Sequence, residues 1–170
     1  MSYTNLYKIN NFIIPQKLLD LFALYEDDII NSSYVFNNNL EINETSEEYE
    51  IFNIKKSELT FSELLFEYIE KSNINEVELY KTAYIDRRLF SKIRSYNDYH
   101  PSFGTVTLLA LALNLSSTDY ENLLKSACYS LPQNSYVNIT LKYCFDEEIY
   151  DVNKVNELLY AISGKQIKEL

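Results

Sequence analysis

The sequence predicts a mainly α-helical protein, a bundle of short helices built around a helix-turn-helix. Apolar residues recur three and four positions apart in successive stretches, which is the spacing of one helix face. Ser, Thr, Asn or Asp precedes most of these stretches, and such residues are favoured N-caps. With 170 residues and 46% hydrophobic content, the chain can bury a sizeable core. We divide it into an N-terminal extension (residues 1–57), a helix-turn-helix bundle (58–132) and a C-terminal helical pair packed on the bundle (133–170).

The N-terminal extension is acidic, with nine acidic side chains against four lysines. A helix is predicted over about residues 15–30 because apolar residues recur there at helical spacing, and Pro15 suits its first position. Residues 34–36 and 49–54 have strand character, and the three asparagines at 37–39 signal a turn. The extension is therefore expected to hold a helix and, at most, a small β-hairpin.

Residues 75–95 have the pattern of two short helices joined by a tight turn. Asn75 followed by Glu78 has the spacing of a capping box, so the first helix is expected to begin there. Leu79 and Ala83 give that helix an inward face, and the turn follows Ala83. Asp86 is a good N-cap for the second helix, and its charge suits the positive end of the helix. This arrangement is typical of a helix-turn-helix.

The second helix of this motif, residues 87–95, is expected to turn Phe90 and Ile93 inward. Its remaining polar side chains are left for solvent or a ligand: Arg87, Arg88, Ser91, Lys92 and Arg94. Bound to DNA, Arg87, Arg88 and Ser91 would lie near base edges, and Lys92 and Arg94 near phosphate. The plain alternative is a charged outer face that pairs with acidic side chains elsewhere in the chain.

Five further helices are expected from their caps and apolar stripes, over about residues 60–71, 103–113, 118–130, 135–145 and 151–163. Thr60 with Glu63 and Ser116 with Asp119 have the spacing of further capping boxes. The helix after Ser102 is apolar nearly all round, so it should lie at the centre of the bundle.

The helix-turn-helix resembles phage-repressor-type (lambda-repressor-like) domains in its core spacing, which is Leu79-x3-Ala83-x-Ile85-Asp86-Arg87-x2-Phe90-x2-Ile93. Pro101 and residues 107–113 match the proline and the apolar helix that follow in that family. Residues 80–94 are most similar to the small helical domain attached to some bacterial macrodomain proteins, and the resemblance extends over about residues 60–162. It implies a repressor-like bundle.

Three places in the chain are interpreted through this resemblance. At residues 135–145, β-branched side chains such as Ile139 favour a strand, whereas the spacing of residues such as Leu141 also fits a helix. The similar domain is helical there, so we expect a helix. Tyr84 stands at the turn position that usually holds Gly, and Arg94 stands where the family usually has an acidic residue.

Several classes of function are disfavoured by the residues that the chain has. Gly104 and Gly164 are too far apart for a phosphate-binding loop, and His100 has no Ser or Cys near it in a nucleophile motif. Cys128 and Cys144 are too few and too widely spaced for a zinc site, so we expect two small core residues. No apolar run reaches the ~18 residues that span a bilayer, and the start lacks a signal-peptide pattern. We expect a cytoplasmic protein that is not an enzyme and needs no cofactor or metal.

The charge distribution favours one nucleic-acid-binding surface on an acidic protein. The net charge of −10 argues against general attraction to phosphate. Residues 80–100, however, hold five basic and two acidic side chains, and Lys81 adds to the basic residues of the second motif helix. Our leading hypothesis is therefore a DNA-binding transcriptional regulator that uses residues 87–94.

The alternative is an acidic protein-binding inhibitor or adaptor, phage- or defence-related, that uses the same fold to contact a basic protein. The acidic side chains that would make this contact are Glu26, Asp27, Asp28, Glu47 and Glu48.

A DNA-binding function also predicts a homodimer, because two half-sites favour a two-fold symmetric protein. The expected interface is the C-terminal helical pair, which has apolar side chains beyond the needs of one small bundle: Tyr143, Ile149, Tyr150, Leu159 and Tyr160.

Overall fold

The computed structural model describes residues 14–26, 59–96 and 98–170. These ranges contain eight α-helices: α1 Gln16–Leu24, α2 Phe61–Ser72, α3 Glu76–Thr82, α4 Arg87–Ser95, α5 Phe103–Ala112, α6 Ser117–Ser126, α7 Tyr136–Asp146 and α8 Val152–Ser163, followed by a 3₁₀ turn, Ile167–Glu169. No strand occurs within them, so the prediction of a mainly α-helical protein is confirmed. The hairpin predicted within residues 34–54 lies outside the described ranges.

Local capping hydrogen bonds define where most of these helices begin. At α2, the backbone N–H of Glu63 donates to the Thr60 hydroxyl (3.3 Å), and Glu63 accepts from the N–H of Thr60 (2.9 Å). This is a complete capping box. Side-chain caps also begin the helices from α3 to α8. They lie at Asn75, Asp86, Ser102, Ser116 and Asp151, as the sequence predicts, and at Ser135, which was not predicted as a cap. Residues 136–146 form a helix, so the strand alternative for that segment is wrong.

Three helix boundaries differ from the prediction, because Pro15, Tyr25 and Cys128 have backbone conformations outside the helical region. Pro15 is the N-cap of α1 rather than its first residue, and Tyr25 (φ −104°, ψ 15°) already lies outside the helical region. At α6, Cys128 has a φ of +59°, and the next N–H, of Tyr129, donates to the carbonyl of Leu124 (2.9 Å). This left-handed closure ends α6 at Ser126 instead of residue 130.

The prediction that both cysteines are core residues holds only for Cys144. Cys144 is buried on α7, and that burial raises the pKa of its thiol to about 12. Cys128 is exposed, because it occupies the left-handed position that closes α6. The apolar spacing around α6 does not show this, since the turn rather than the helix decides where the side chain points.

Helix α5 lies at the centre of the molecule, as predicted, and residues 106–112 are all buried. On one side, the Thr107 hydroxyl shares a buried hydrogen bond with Tyr120 of α6 (2.9 Å). The Tyr120 ring in turn stacks on Phe145 of α7, with ring centroids 3.9 Å apart. One continuous core therefore joins α5, α6 and α7.

The C-terminal turn crosses the beginning of α5 at very close range. A Cβ atom at Gly104 would lie 2.2 Å from the carbonyl oxygen of Ile167, so the contact requires glycine. Ile167 is fully buried, and its N–H donates to the side-chain oxygen of Asn156 on α8 (2.9 Å). The chain end is thus fastened to both α5 and α8.

Helix α1 packs against α7. The ring of Phe22 meets that of Tyr136 edge to face, with centroids 4.8 Å apart. Lys17 forms an ion pair with Glu147. Helix α1 therefore completes the core on the side of α7. Among the described helices, none is both long and apolar enough to cross a membrane.

Candidate nucleic-acid interface

Four residues, 83–86, connect α3 to α4 in a tight turn, as predicted. Tyr84 has a φ of +53°, and the N–H of Ile85 donates to the carbonyl of Tyr80 (2.9 Å). Ala83 and Ile85, on either side of Tyr84, are both buried. The turn is therefore anchored from below by two apolar residues, while the exposed Tyr84 points away from the core. Glycine would adopt this φ at less cost, but the closing hydrogen bond and the two buried neighbours hold Tyr84 there.

One face of α4 is seated on α2 and α3. The ring of Phe90 contacts Phe66 of α2 and Tyr80 of α3, with centroids 6.2 and 5.8 Å apart. Ile93 is fully buried, and its carbonyl accepts a hydrogen bond from the Ser62 hydroxyl (2.8 Å). These contacts fix the orientation of α4 and leave its opposite face to solvent.

The exposed face of α4 carries the side chains that the sequence predicts there. Arg87, Arg88, Ser91 and Lys92 are all exposed. Within the described ranges, none of these three cations has an acidic partner within ion-pair distance. Lys81, on α3, is exposed as well, and no ion pair joins it to a described residue.

Arg94 differs from the other cations of α4. It forms an ion pair with Glu76, the first residue of α3, and its guanidinium lies 5.9 Å from the centre of the Phe66 ring. The pair is not sealed from water, because the side chains of Arg94 and Glu76 are 53% and 34% exposed. The structure therefore brings Arg94 to the predicted face, but with its charge already balanced.

A groove of about 380 Å³ runs between α3 and α4. Its lining combines an apolar floor with charged and polar side chains: Glu76, Val77, Tyr80, Arg87, Phe90, Ser91 and Arg94. Two of these, Glu76 and Val77, were not singled out from the sequence. Their proximity to Arg94 depends on how α3 folds back on α4, and no local spacing rule encodes a contact between residues so far apart in the chain.

Of the acidic residues in the alternative hypothesis, Glu26 lies in the described ranges, where it follows α1 and is partly exposed. The other four predicted residues, Asp27, Asp28, Glu47 and Glu48, lie outside the described ranges. His100 is exposed in the loop before α5, with its ring centroid 5.2 Å from that of Tyr129. The described residues also contain no group of three or more His, Cys, Asp or Glu side chains that could hold a metal ion.

Part of the predicted dimer surface is used within the chain itself. Tyr143 and Leu159 are buried, so they are core residues rather than interface residues. Ile149 and Tyr150 are partly buried against the same core, and only Tyr160 is substantially exposed (52%). The spacing on α7 and α8 shows which residues are apolar, but not how much of that surface α1 and α6 cover.

Comparisons with protein-family models, with curated proteins and with solved structures give no match to this chain.

Proposed function

We propose that this protein is a non-enzymatic, DNA-binding transcriptional regulator that inserts α4 into the major groove of a duplex. The observation that carries the proposal is the exposed face of α4. Arg87, Arg88 and Lys92 point outward from the second helix of a two-helix motif, without an ion-pair partner in the described ranges. Cations in this position suit the phosphates and the base edges of a DNA groove.

In this proposal, the fold is a repressor-like bundle. Helix α2 is its first helix, α3 and α4 are the helix-turn-helix, and α5 is the apolar helix that follows Pro101. The anchoring of α4 through Phe90 and Ile93 supports this assignment, because a recognition helix must be held rigidly while its outer face stays free. The relation to the helical domain of macrodomain proteins belongs to the same proposal.

The roles of the individual side chains follow from their positions along α4. Arg87, Arg88 and Ser91 lie on the first turns, from which a recognition helix reaches base edges. An arginine there can donate two hydrogen bonds to a guanine. Lys92, further along, and Lys81, on α3, are placed for phosphate contacts. We propose a cytoplasmic homodimer, since a single motif with so few free cations would bind weakly on a protein with a net charge of −10.

Selection from a genomic fragment library tests this function directly. The full-length protein should retain a discrete set of fragments, and Arg88→Ala and Lys92→Ala should weaken their binding. The matched control is Lys154→Ala, which removes the same charge from an exposed position on α8. Failure to enrich any fragment, or equal binding by Arg88→Ala, Lys92→Ala and Lys154→Ala, would rule out the proposal.

The second candidate function is a protein-binding inhibitor or adaptor. The observation that favours it is the set of exposed apolar side chains around the motif, Val77, Tyr84 and Tyr96, for which duplex DNA offers little apolar surface. The acidic extension and the overall charge suit a basic partner.

Capture of partners from a host lysate separates the two functions. Deleting residues 1–57 would remove α1, which completes the core, so a charge-neutral variant is the cleaner test. In it, Glu26, Glu47 and Glu48 become Gln, and Asp27 and Asp28 become Asn. One stoichiometric partner that is retained by the wild type and lost by this variant would favour the adaptor. Retention of DNA by both proteins would favour the regulator.

A further inference from the structure

The cations of α4 differ in whether they have an ion-pair partner, and the partner of the one that is paired is Glu76. This residue begins α3, and its carboxylate pairs with Arg94 on the last turn of α4. Arg87, Arg88 and Lys92 have no such partner among the described residues. One of the four cations on this helix is therefore neutralised within the motif itself.

The Glu76–Arg94 pair can be opened by a competing anion. Both side chains are partly exposed, and ion pairs in that environment are weak because water screens them. A DNA phosphate next to Arg94 would compete with the carboxylate for the same guanidinium. The contact of Arg94 with the ring of Phe66 does not prevent this, since the guanidinium has five N–H donors and its centre lies 5.9 Å from the ring centre.

The position of Glu76 also bears on DNA docking. In a helix-turn-helix complex, the first helix of the motif crosses the phosphate backbone. Here that helix is α3, and its first turn carries the carboxylates of Glu76 and Glu78. A carboxylate near phosphate repels it. The pairing of Arg94 with Glu76 and the acidic first turn of α3 should therefore both weaken the binding of any duplex, whatever its sequence.

We propose that Glu76 withholds Arg94 from DNA phosphate and thereby lowers the sequence-independent affinity of the motif. This inference rests on the proposed DNA-binding function and identifies what regulates the same site. Phosphate contacts supply most of the non-specific affinity, whereas selectivity is the ratio of specific to non-specific binding. Reducing the phosphate contacts while keeping Arg87, Arg88 and Ser91 for the bases raises that ratio.

The test measures binding of the full-length chain to a short duplex of random sequence over a series of salt concentrations. The variants are Glu76→Gln, Arg94→Gln and the double substitution. The matched control is Glu78→Gln, which removes the same charge from the same turn. Glu78 instead accepts a hydrogen bond from the side-chain amide of Asn75 (3.2 Å). Circular dichroism of each variant confirms that it is folded, and Glu76→Asp, whose shorter side chain weakens the pair, replaces Glu76→Gln if the latter unfolds.

Releasing Arg94 should add a phosphate contact, which appears in the salt dependence. Glu76→Gln should steepen the plot of log K against log salt by about 0.9 and tighten binding several-fold. Glu78→Gln should leave the slope unchanged. Arg94→Gln should also leave it unchanged, because Arg94 makes no phosphate contact in the wild type, and the double variant should behave like Arg94→Gln.

Two results would overturn the inference while leaving DNA binding intact. One is a slope that becomes shallower by about 0.9 in Arg94→Gln alone, which would mean that Arg94 already contacts phosphate. The other is an equal change of slope and affinity in Glu76→Gln and Glu78→Gln. That result would mean that the removal of any negative charge from this turn strengthens binding, without a specific role for the Glu76–Arg94 pair. Absence of binding by the wild type to random and to library-selected duplexes alike would instead reject the proposed function, and this inference with it.

Discussion

Several helix ends in the described ranges are closed by a residue other than glycine in the left-handed conformation that glycine adopts most easily. Within those ranges, five residues other than glycine have a positive φ: Asn73, Tyr84, Asn114, Cys128 and Glu148. An apolar residue follows each of them, and at four of the five its N–H donates to a carbonyl five positions earlier. The closing hydrogen bond and the burial of that apolar neighbour offset a conformational cost of about 1 kcal/mol at each site.

At the residue scale, we predict that Glu148→Gly stabilises the protein by about 1 kcal/mol, because glycine removes the steric cost of its φ of +55°. The matched control is Glu157→Gly, the same substitution in the middle of α8, which should destabilise by about 1 kcal/mol. Urea unfolding of both variants gives the two free energies. Loss of stability in Glu148→Gly would show that the side chain has a role other than closing α7.

At the scale of elements, the sequence predicts well whatever depends on neighbours three or four residues away. The capping bonds at Thr60 and Asp86 and the buried face of α4 are of this kind, and all are confirmed. The contact of Glu76 with Arg94 and the crossing of Gly104 by Ile167 were not predicted. Each joins segments that only the packing of the helices brings together. The candidate site was therefore predicted as a set of exposed cations, but the partner that neutralises one of them was not.

The role of Gly104 at the start of α5 also depends on a contact between distant segments. The sequence alone identifies it only as a residue with low helix propensity. We predict that Gly104→Ala destabilises the protein by about 1–3 kcal/mol, since a new methyl group must displace the backbone at Ile167. The control repeats Gly104→Ala in a chain that ends at Gln166. There the substitution should cost much less, because the obstructing carbonyl is absent. An equal loss in both chains, measured by urea unfolding, would contradict this account.

Across the whole described structure, the helices that complete the core differ from those that present charged side chains to solvent. Helices α1, α7 and α8 complete the core through contacts such as that of Phe22 with Tyr136, while α3 and α4 present charge to solvent. The net charge of −10 disfavours binding to phosphate in general, so the proposed function assigns DNA binding to the basic face of α4 alone. A dimer would double the number of free cations that one protein presents to DNA.

We predict that the protein is a dimer at micromolar concentration, with Tyr160 in the interface, because it is the one exposed member of the predicted surface. Tyr160→Lys should shift the equilibrium toward monomer. Leu24→Lys, which alters another exposed apolar residue on α1, should not. Light scattering gives the mass of each protein. A wild type that is strictly monomeric would favour the adaptor function over DNA binding.

In the proposed function, the cations of α4 without an ion-pair partner in the described ranges contact DNA phosphate and bases, and these contacts should appear in the salt dependence of binding. The measurement compares the wild type with a variant in which Arg87, Arg88 and Lys92 are changed to Ala, on one selected duplex. The control changes three exposed lysines at the other end of the chain, Lys154, Lys165 and Lys168. We predict a slope shallower by about 0.9 for each phosphate contact that is lost in the first variant, and a wild-type slope in the control. Equal slopes in the wild type and the α4 variant would contradict the claim.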